Sequence, residues 1–185
     1  MSLSLEIIDD YLIRYLVYFN YKNYADRISL QGNEQVLEVG SGGGNLSRFL
    51  AEKLPFGKLV CIDNSEYWIE KAERRLRNYE NINFRCKDIL DFKGERCFDV
   101  AVVHYVLHDI KKEERGKVIN VLNNNLKKEG RIYIREPIRK SHGIASEEVK
   151  DLMLENSFLE EYSKEGYSFP IRGKIYEGVF KNTKS

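Results

Sequence analysis

Four glycines stand in one short segment directly after the mostly apolar residues 35–39, and three of them, Gly40, Gly42 and Gly44, fall at alternate positions. In a turn from a strand into a helix, glycines let the backbone take positive φ angles and come close to a ligand. The free N–H groups of the following helix, expected to begin near Asn45, favour an anionic group. The segment therefore predicts a binding site for a nucleotide phosphate or for a ligand with a carboxylate.

The residues around these glycines narrow the choice of ligand. A dinucleotide fingerprint needs a small residue where Asn45 stands, and a P-loop needs a Gly-Lys-Ser/Thr ending that the segment lacks. Glu38 lies two residues before the first glycine, where its carboxylate would repel a pyrophosphate and suit an ammonium or sulfonium group. We therefore expect a cationic ligand without a diphosphate.

A second group of reactive side chains follows the apolar residues 98–103. His104 and Tyr105 come at the end of this run, where His104 could line a pocket, act as a general base or simply bond a backbone group. His108 is expected to have a structural role that ties the loop to a neighbouring helix. His104 and His108 are four residues apart with Asp109 beside them, but no third ligand stands in evident register, so no metal site is predicted.

Charged residues elsewhere are interpreted as exposed. Arg135, Glu136, Arg139 and His142 follow another apolar run and would border the mouth of a pocket. They could grip an anionic ligand, but we favour a solvated rim because exposed ion pairs contribute little. The clustered charges of residues 71–77 and 111–115 are typical of exposed helix faces.

Strands and helices alternate along most of the chain. Strands are predicted at residues 35–39, 58–63, 82–85, 98–104 and 131–135, with helices to about residue 54, at 67–78 and at 113–126. This alternation requires crossover connections and so a parallel sheet buried on both faces. A helix is predicted at 146–156. It is followed by two extended stretches, 158–163 and 174–180, which we expect to form a terminal hairpin. Residues 4–30 form a helix whose apolar stripe either packs on the core or forms a lid; the stripe comprises Leu5, Ile8, Leu12, Leu16 and Phe19.

Length and composition favour one globular domain over residues 1–185. Thirty Lys and Arg against 29 Asp and Glu leave a net charge of +1, which gives no general attraction to nucleic acid or to an anionic membrane. Cys61, Cys86 and Cys97 lack CxxC spacing, and we expect reduced thiols in the core. The acidic N-terminus does not match a signal peptide, and no run is long enough to span a membrane, so a cytoplasmic location is predicted.

The segment VLEVGSGGGNL resembles motif I of the class I methyltransferase family, and the resemblance continues in order along nearly the whole chain. It implies a doubly wound α/β fold with a mostly parallel seven-stranded sheet in the order 3-2-1-4-5-7-6, the last strand antiparallel. It also implies S-adenosylmethionine as the cofactor. The cofactor-binding residues that it implies are Glu38, Gly40, Ser41, Gly42, Gly44, Asp63, Asn64, Asp88, Ile89 and His104.

The same resemblance assigns roles to individual positions. Asp63 corresponds to the acid that binds the ribose hydroxyls, and Asp88 with Ile89 to the adenine contacts. His104 and Tyr105 would lie beneath the methionine part of the cofactor and be nearest to the chemistry, as catalytic residues.

The methyl acceptor is open at this point. No Asn/Asp-Pro-Pro-Tyr follows the fourth strand and there is no Pro-Cys nucleophile, which disfavours methylation of nucleic-acid bases. We expect a small-molecule acceptor bound by the N-terminal helix, the loop after His104 and residues 137–146, and a homodimer partner could complete this pocket. The alternatives are a protein or RNA acceptor, a cofactor-binding subunit without turnover, and a nucleotide-dependent oxidoreductase.

Overall fold

The computed structural model describes residues 3–93, 96–139, 142–168 and 173–184, with side chains described from Tyr15 onward. Within these residues, strands and helices alternate along most of the chain. The helices are α1 (Leu3–Arg27), α2 (Ser47–Glu52), α3 (Glu66–Leu76), α4 (Lys112–Asn125) and α5 (Ser146–Glu155). The strands are β1 (Gln35–Val39), β2 (Lys58–Asp63), β3 (Ile82–Cys86), β4 (Phe98–His104), β5 (Leu126–Pro137), β6 (Phe158–Ser168) and β7 (Gly173–Asn182).

The strands form one sheet in the order β3-β2-β1-β4-β5-β7-β6. The first five strands pair in parallel, whereas β7 runs antiparallel to both of its neighbours, β5 and β6. This arrangement confirms the predicted doubly wound sheet. The carboxyl ends of β1, β2 and β4 meet at one edge of the sheet, where the connections diverge to opposite faces and ligands bind in open α/β sheets.

Apolar side chains cover both faces of the central strands. On β1, Val36, Leu37 and Val39 are at most 3% exposed, as expected for a parallel strand with helices on both sides. One hydrophobic cluster joins a face of the sheet to α4 and α5, and a second cluster joins the other face to α1 and α2. The strands that end at the site are therefore held from both sides.

The first helix packs through its C-terminal end. Tyr24, Ala25 and Ile28 are buried, whereas Phe19, placed by the apolar stripe on a packed face, is 49% exposed. The side chains of Leu5, Ile8 and Leu12 lie outside the described residues. No helix among the described residues is long and apolar enough to cross a membrane.

Several boundaries differ from those predicted. The first helix ends at Arg27 rather than at residue 30, and β5 starts at Leu126, directly after α4, rather than at residue 131. The expectation of core thiols holds for Cys61 alone, because Cys86 and Cys97 are exposed. Cys86 ends β3, which is the edge strand of the sheet, and an edge strand has a neighbour on only one side.

Candidate functional site

A cleft opens at the carboxyl ends of β1, β2 and β4. It encloses about 410 Å³, a size typical of small-molecule and cofactor sites. The fold therefore brings together residues from the loops that follow the first four strands. The predicted site residues that line the cleft are Gly40, Asp63, Asn64, Asp88, Ile89 and Tyr105.

The glycine turn has a left-handed backbone, with φ of 67° at Gly40 and 50° at Gly42. A Cβ on Gly40 would lie 2.4 Å from Cγ2 of Val106, so the turn and the loop after β4 approach each other as closely as glycine allows. A Cβ on Gly42 would meet nothing within 4 Å. Gly42 therefore leaves open space for a ligand directly above the turn.

The Asp63 carboxylate fixes the conformation of this turn. Its Oδ2 accepts a hydrogen bond from the Gly42 N–H at 2.8 Å, and its Oδ1 accepts one from the Ser65 N–H at 3.0 Å. The Gly40 N–H donates to the carbonyl of Ile62 at 2.8 Å, which ties the turn to β2. Because each carboxylate oxygen can accept a second hydrogen bond, Asp63 can still bind two hydroxyl groups of a ligand.

The loop after β3 supplies a carboxylate beside an apolar surface. Asp88 Oδ1 accepts a hydrogen bond from the Leu90 N–H at 2.9 Å and so caps the short 3-10 turn that begins at Ile89. Ile89 is 8% exposed and lines the cleft next to Asp88. A carboxylate that accepts from an exocyclic amino group, with an apolar side chain against the ring, is suited to a nucleobase.

The charged groups that line the cleft are predominantly acidic. They are Asp63, Asp88, Asp109, Glu114, Lys87 and Lys111. Four carboxylates against two ammonium groups leave two negative charges. Such a lining attracts a cationic ligand and repels a diphosphate.

Glu136 holds the opposite wall of the cleft in place. Its carboxylate is buried, and Oε1 accepts hydrogen bonds from the N–H groups of Val106 and Leu107 at 2.8 Å each. Its Oε2 lies 2.7 Å from Nδ1 of His108. Tyr105, the residue before Val106, has φ of 62°, a left-handed conformation that costs a residue other than glycine about 1–2 kcal/mol. The buried carboxylate thus stabilises a turn that the backbone alone disfavours.

Two of the four residues that were predicted to form a solvated rim are buried instead. Arg135 and Glu136 are 3% and 0% exposed, respectively, whereas Arg139 and His142 are exposed as expected. Arg115, assigned to an exposed helix face, is 9% exposed and donates to Glu148 and to the carbonyl of Ile110. Glu136 was missed because exposure was assumed for it. Its position at the carboxyl end of a buried parallel strand was the feature of the sequence that could have indicated its burial.

Three other predicted site residues lie within the turn or beneath it. Glu38 is 2% exposed, and its Oε2 accepts hydrogen bonds from the Ser47 hydroxyl at 2.6 Å and the Cys61 thiol at 3.3 Å. Desolvation raises the pKa of the Glu38 carboxyl to about 7, because burial disfavours the charged form. The buried Ser41 hydroxyl has no hydrogen-bond partner among the described residues, and the Gly44 N–H donates to the Ser41 carbonyl at 3.1 Å. Glu38 therefore supports the turn from below, and Ser41 and Gly44 close it through their backbone.

His104 and Tyr105 occupy different surroundings. The buried His104 ring packs among three tyrosines, with ring centroids 4.1 Å from Tyr105, 5.0 Å from Tyr24 and 5.1 Å from Tyr21. His104 is therefore covered by α1, whereas Tyr105 lines the cleft. His108 is tied to β5 through Glu136, not only to a helix as predicted.

A second cavity of about 340 Å³ lies between α1, β5 and the hairpin of β6 and β7. Its charged lining residues are Arg27, Arg135, Lys164 and Glu177. Glu177 Oε1 lies 2.6 Å from Arg27 Nη2 and 3.0 Å from Arg135 Nε, and Glu177 Oε2 lies 3.2 Å from Lys164 Nζ. One carboxylate among three cations leaves this cavity with net positive charge.

Tyr105 connects the two spaces. Its hydroxyl lies 3.3 Å from Ser168 Oγ, which also accepts a hydrogen bond from the Asn20 side chain at 2.8 Å. The side-chain oxygen of Asn20, Oδ1, accepts a hydrogen bond from Arg135 at 2.9 Å. Asn20 and Arg135 line the second cavity, and Tyr105 lines the cleft. Tyr105 and its hydrogen-bonded neighbours therefore lie at the boundary between the two spaces.

Proteins that fold in this way include the class I S-adenosylmethionine-dependent methyltransferases. The sequence agrees with the fold, because a family model described as a methyltransferase domain matches residues 30–182. The chain belongs to this methyltransferase family, whose members use S-adenosylmethionine.

Curated relatives show how similar the sequence is to known proteins and how much of each chain the similarity covers. The chain is 27% identical over 147 residues to a carboxy-S-adenosyl-L-methionine synthase of Campylobacter jejuni, covering 78% of this chain and 60% of the synthase. The chain spans about half to three-fifths of the length of the curated relatives it matches.

Two solved structures show the fold with a cofactor or its product. The N-methyltransferase NodS of Bradyrhizobium japonicum WM9, in complex with S-adenosylhomocysteine, has a TM-score of 0.75 at 22% identity and covers 88% of this chain and 86% of its own. The magnesium protoporphyrin IX methyltransferase of Synechocystis PCC 6803, with bound S-adenosylmethionine, has a TM-score of 0.75 at 16% identity and covers 92% and 81%. At these identities the likeness concerns the fold.

Proposed function

We propose that this chain transfers the methyl group of S-adenosylmethionine to a small acceptor that carries an acidic group. The observation that carries the proposal is the acidic lining of the cleft around an open glycine turn. S-Adenosylmethionine has a sulfonium and an ammonium charge and no phosphate, so this lining favours it over a dinucleotide. The orphaned Ser41 hydroxyl at the turn provides a further polar group for a ligand.

The nucleoside part of the cofactor would bind along the ends of β2 and β3. In this proposal the free lone pairs of Asp63 accept the ribose hydroxyls, and Asn64 lies beside them. Asp88 accepts the adenine amino group, and Ile89 packs on the ring.

The methionine part would bind above the glycine turn. Gly40, Gly42 and Gly44 keep the backbone free of side chains, and the N–H groups that follow favour its carboxylate. Glu38 and the backbone hydrogen bonds of Ser41 to Ile62 and Gly44 hold the turn in shape. The carboxylates of the lining provide the attraction for the ammonium and sulfonium groups.

Chemistry at this site requires alignment more than acid or base groups. The bound cofactor supplies an electrophilic methyl group, and the chain has to align the acceptor with it and exclude water. Tyr105 lies where the cleft meets the second cavity and is our candidate for the residue that contacts the reacting groups. His104 packs on Tyr105 and acts as a positioning residue through that contact.

The second cavity is our candidate acceptor site. Its volume of about 340 Å³ is within the range for small molecules. Arg27, Arg135 and Lys164 outnumber the single Glu177 carboxylate, which suits an acceptor with a carboxylate or phosphate group.

The test is a screen of small carboxylic and phosphorylated acceptors with S-adenosylmethionine, followed by S-adenosylhomocysteine release and by mass spectrometry of the products. We expect release that depends on an acidic acceptor, together with an acceptor heavier by one methylene. Lys164→Gln should raise KM for that acceptor without changing cofactor affinity, and the exposed Lys128→Gln serves as the control. A modified cofactor instead of a methylated acceptor, or turnover indifferent to acidic groups, would contradict the proposal.

A further inference from the structure

Three possible metal ligands converge beside the cleft. The ligand atoms of His108, Asp109 and His142 all lie within 4.8 Å of one another. His108 and Asp109 belong to the short turn after β4, whereas His142 comes from the segment after β5. The sequence pattern paired His108 with His104, whereas the structure brings His108 and Asp109 together with His142, which lies 33 positions beyond Asp109.

The His108 ring is held in the orientation that metal binding needs. Its Nδ1 lies 2.7 Å from Glu136 Oε2, and Glu136 accepts two backbone N–H bonds through its other oxygen. A carboxylate in this role is an acceptor, so Nδ1 carries the hydrogen and the lone pair of the neutral ring lies on Nε2. A carboxylate behind a histidine in this way is the usual outer support of a metal-binding imidazole.

The Nε2 atom of His108 has no hydrogen-bond partner among the described residues, although the side chain is 0% exposed. Asp109 Oδ2 lies 3.5 Å away but outside hydrogen-bond geometry. A buried polar group without a partner costs about 1–3 kcal/mol. The orphaned nitrogen points to a ligand that is shared with the residues around it.

The separations between the ligand atoms fit an ion. Two donors that each lie about 2.1 Å from a tetrahedral zinc ion are about 3.4 Å apart. Asp109 Oδ2 is 3.5 Å from His108 Nε2, and Asp109 Oδ1 is 3.4 Å from His142 Nε2. These two distances run to different oxygens of Asp109, and the three ligand atoms lie within 4.8 Å of one another. Binding one ion therefore needs a small closing movement, which the exposed side chains of Asp109 and His142 can make.

We propose that His108, Asp109 and His142 bind a divalent transition-metal ion of the zinc type, with Glu136 supporting His108. Two imidazoles and one carboxylate suit zinc or cobalt, whereas magnesium and calcium prefer oxygen ligands alone. Three protein ligands leave the fourth position of a tetrahedral ion open. Because Asp109 also lines the cleft, this open position lies at the cleft's edge, where it can take a water molecule or an anionic group of a ligand.

The test is zinc binding by the chelator-treated chain, measured by calorimetry, with cobalt absorption as a second readout. We expect one ion per chain and the visible bands of tetrahedral cobalt, without a thiolate charge-transfer band from the exposed Cys86 or Cys97. His142→Ala should weaken zinc binding at least tenfold, since loss of an outer-shell partner alone costs roughly 10–100-fold. His142 is exposed, so this variant should keep the fold.

A matched control separates the site from general effects of charge. Asp91 ends the other 3-10 turn, Ile89–Asp91, and is exposed, so Asp91→Asn should leave zinc affinity unchanged while Asp109→Asn lowers it. Equal zinc affinity in wild type and His142→Ala, or no binding by the wild type, would overturn the proposal. Zinc binding is measured without methyl transfer, and binding of S-adenosylhomocysteine is measured separately. A failure of the metal site can therefore be told from a failure of the proposed function.

Discussion

Replacing Glu136 by Gln changes the charge at the centre of the site and almost nothing in volume. The side-chain oxygen of glutamine can still accept from the N–H groups of Val106 and Leu107. The amide group, however, would stand where Oε2 now lies 2.7 Å from His108 Nδ1. The imidazole must then move its hydrogen from Nδ1 to Nε2 so that Nδ1 can accept from the amide, and the N–H groups of the turn face a neutral oxygen in place of a charged one. We therefore expect the turn after β4 to loosen.

The size of the effect follows from what the carboxylate now satisfies. Hydrogen bonds to a charged group contribute about 1.5–3 kcal/mol each, and the variant replaces the charged partner of His108 by a neutral one. We therefore expect the free energy of unfolding to fall by about 1.5–3 kcal/mol. Domains of this kind have about 5–15 kcal/mol in total, so the loss is large enough to measure. Since Tyr105 and Val106 line the cleft, the affinity for S-adenosylhomocysteine should also fall at least tenfold.

Urea denaturation followed by circular dichroism measures the first effect, and calorimetry measures the second. The control is Glu73→Gln, an exposed carboxylate on α3, which should change stability by less than about 0.5 kcal/mol. If Glu136→Gln unfolds at the same urea concentration as the wild type, the claim that this carboxylate holds the turn is refuted.

Two other substitutions test the glycine turn and the buried carboxyl group beneath it. Gly40→Ala would place a methyl group 2.4 Å from Val106 Cγ2 at a positive φ, so urea denaturation should show a loss of about 2–5 kcal/mol; an unchanged midpoint would contradict the close packing. Glu38→Gln removes a carboxyl whose pKa is raised from 4.5 to about 7. Because the native state holds this proton at higher pH than the unfolded state, wild-type stability relative to the variant should decline by about 3 kcal/mol as pH rises from 4.5 through 7. Parallel stability curves from pH 4 to 8 would rule out this coupling.

The sequence predicted the features that depend on neighbouring residues. Apolar runs and the glycines between them placed β1, β2 and β4 at the correct residues. The resemblance to class I methyltransferases singled out Asp63, which lies at the end of β2 and lines the cleft. These features are local, because a strand covered by helices on both faces is mostly apolar and glycine is the residue that most readily takes a left-handed turn.

Features that depend on distant contacts could not be predicted in this way. The burial of Glu136 arises from backbone groups about 30 residues earlier in the chain, and the meeting of His108 with His142 arises from the packing of two loops. The second cavity requires α1 and the terminal hairpin to lie side by side. A single domain over residues 1–185, a cytoplasmic location and a homodimer stay predictions.

Calorimetric titration with S-adenosylmethionine, S-adenosylhomocysteine and NAD, on the wild type and on Asp63→Ala, tests the account most directly. It predicts that the two sulfur-containing nucleosides bind, that NAD does not, and that Asp63→Ala loses most of the affinity. Tight binding of NAD alone, or an Asp63→Ala variant that binds S-adenosylhomocysteine as the wild type does, would contradict it.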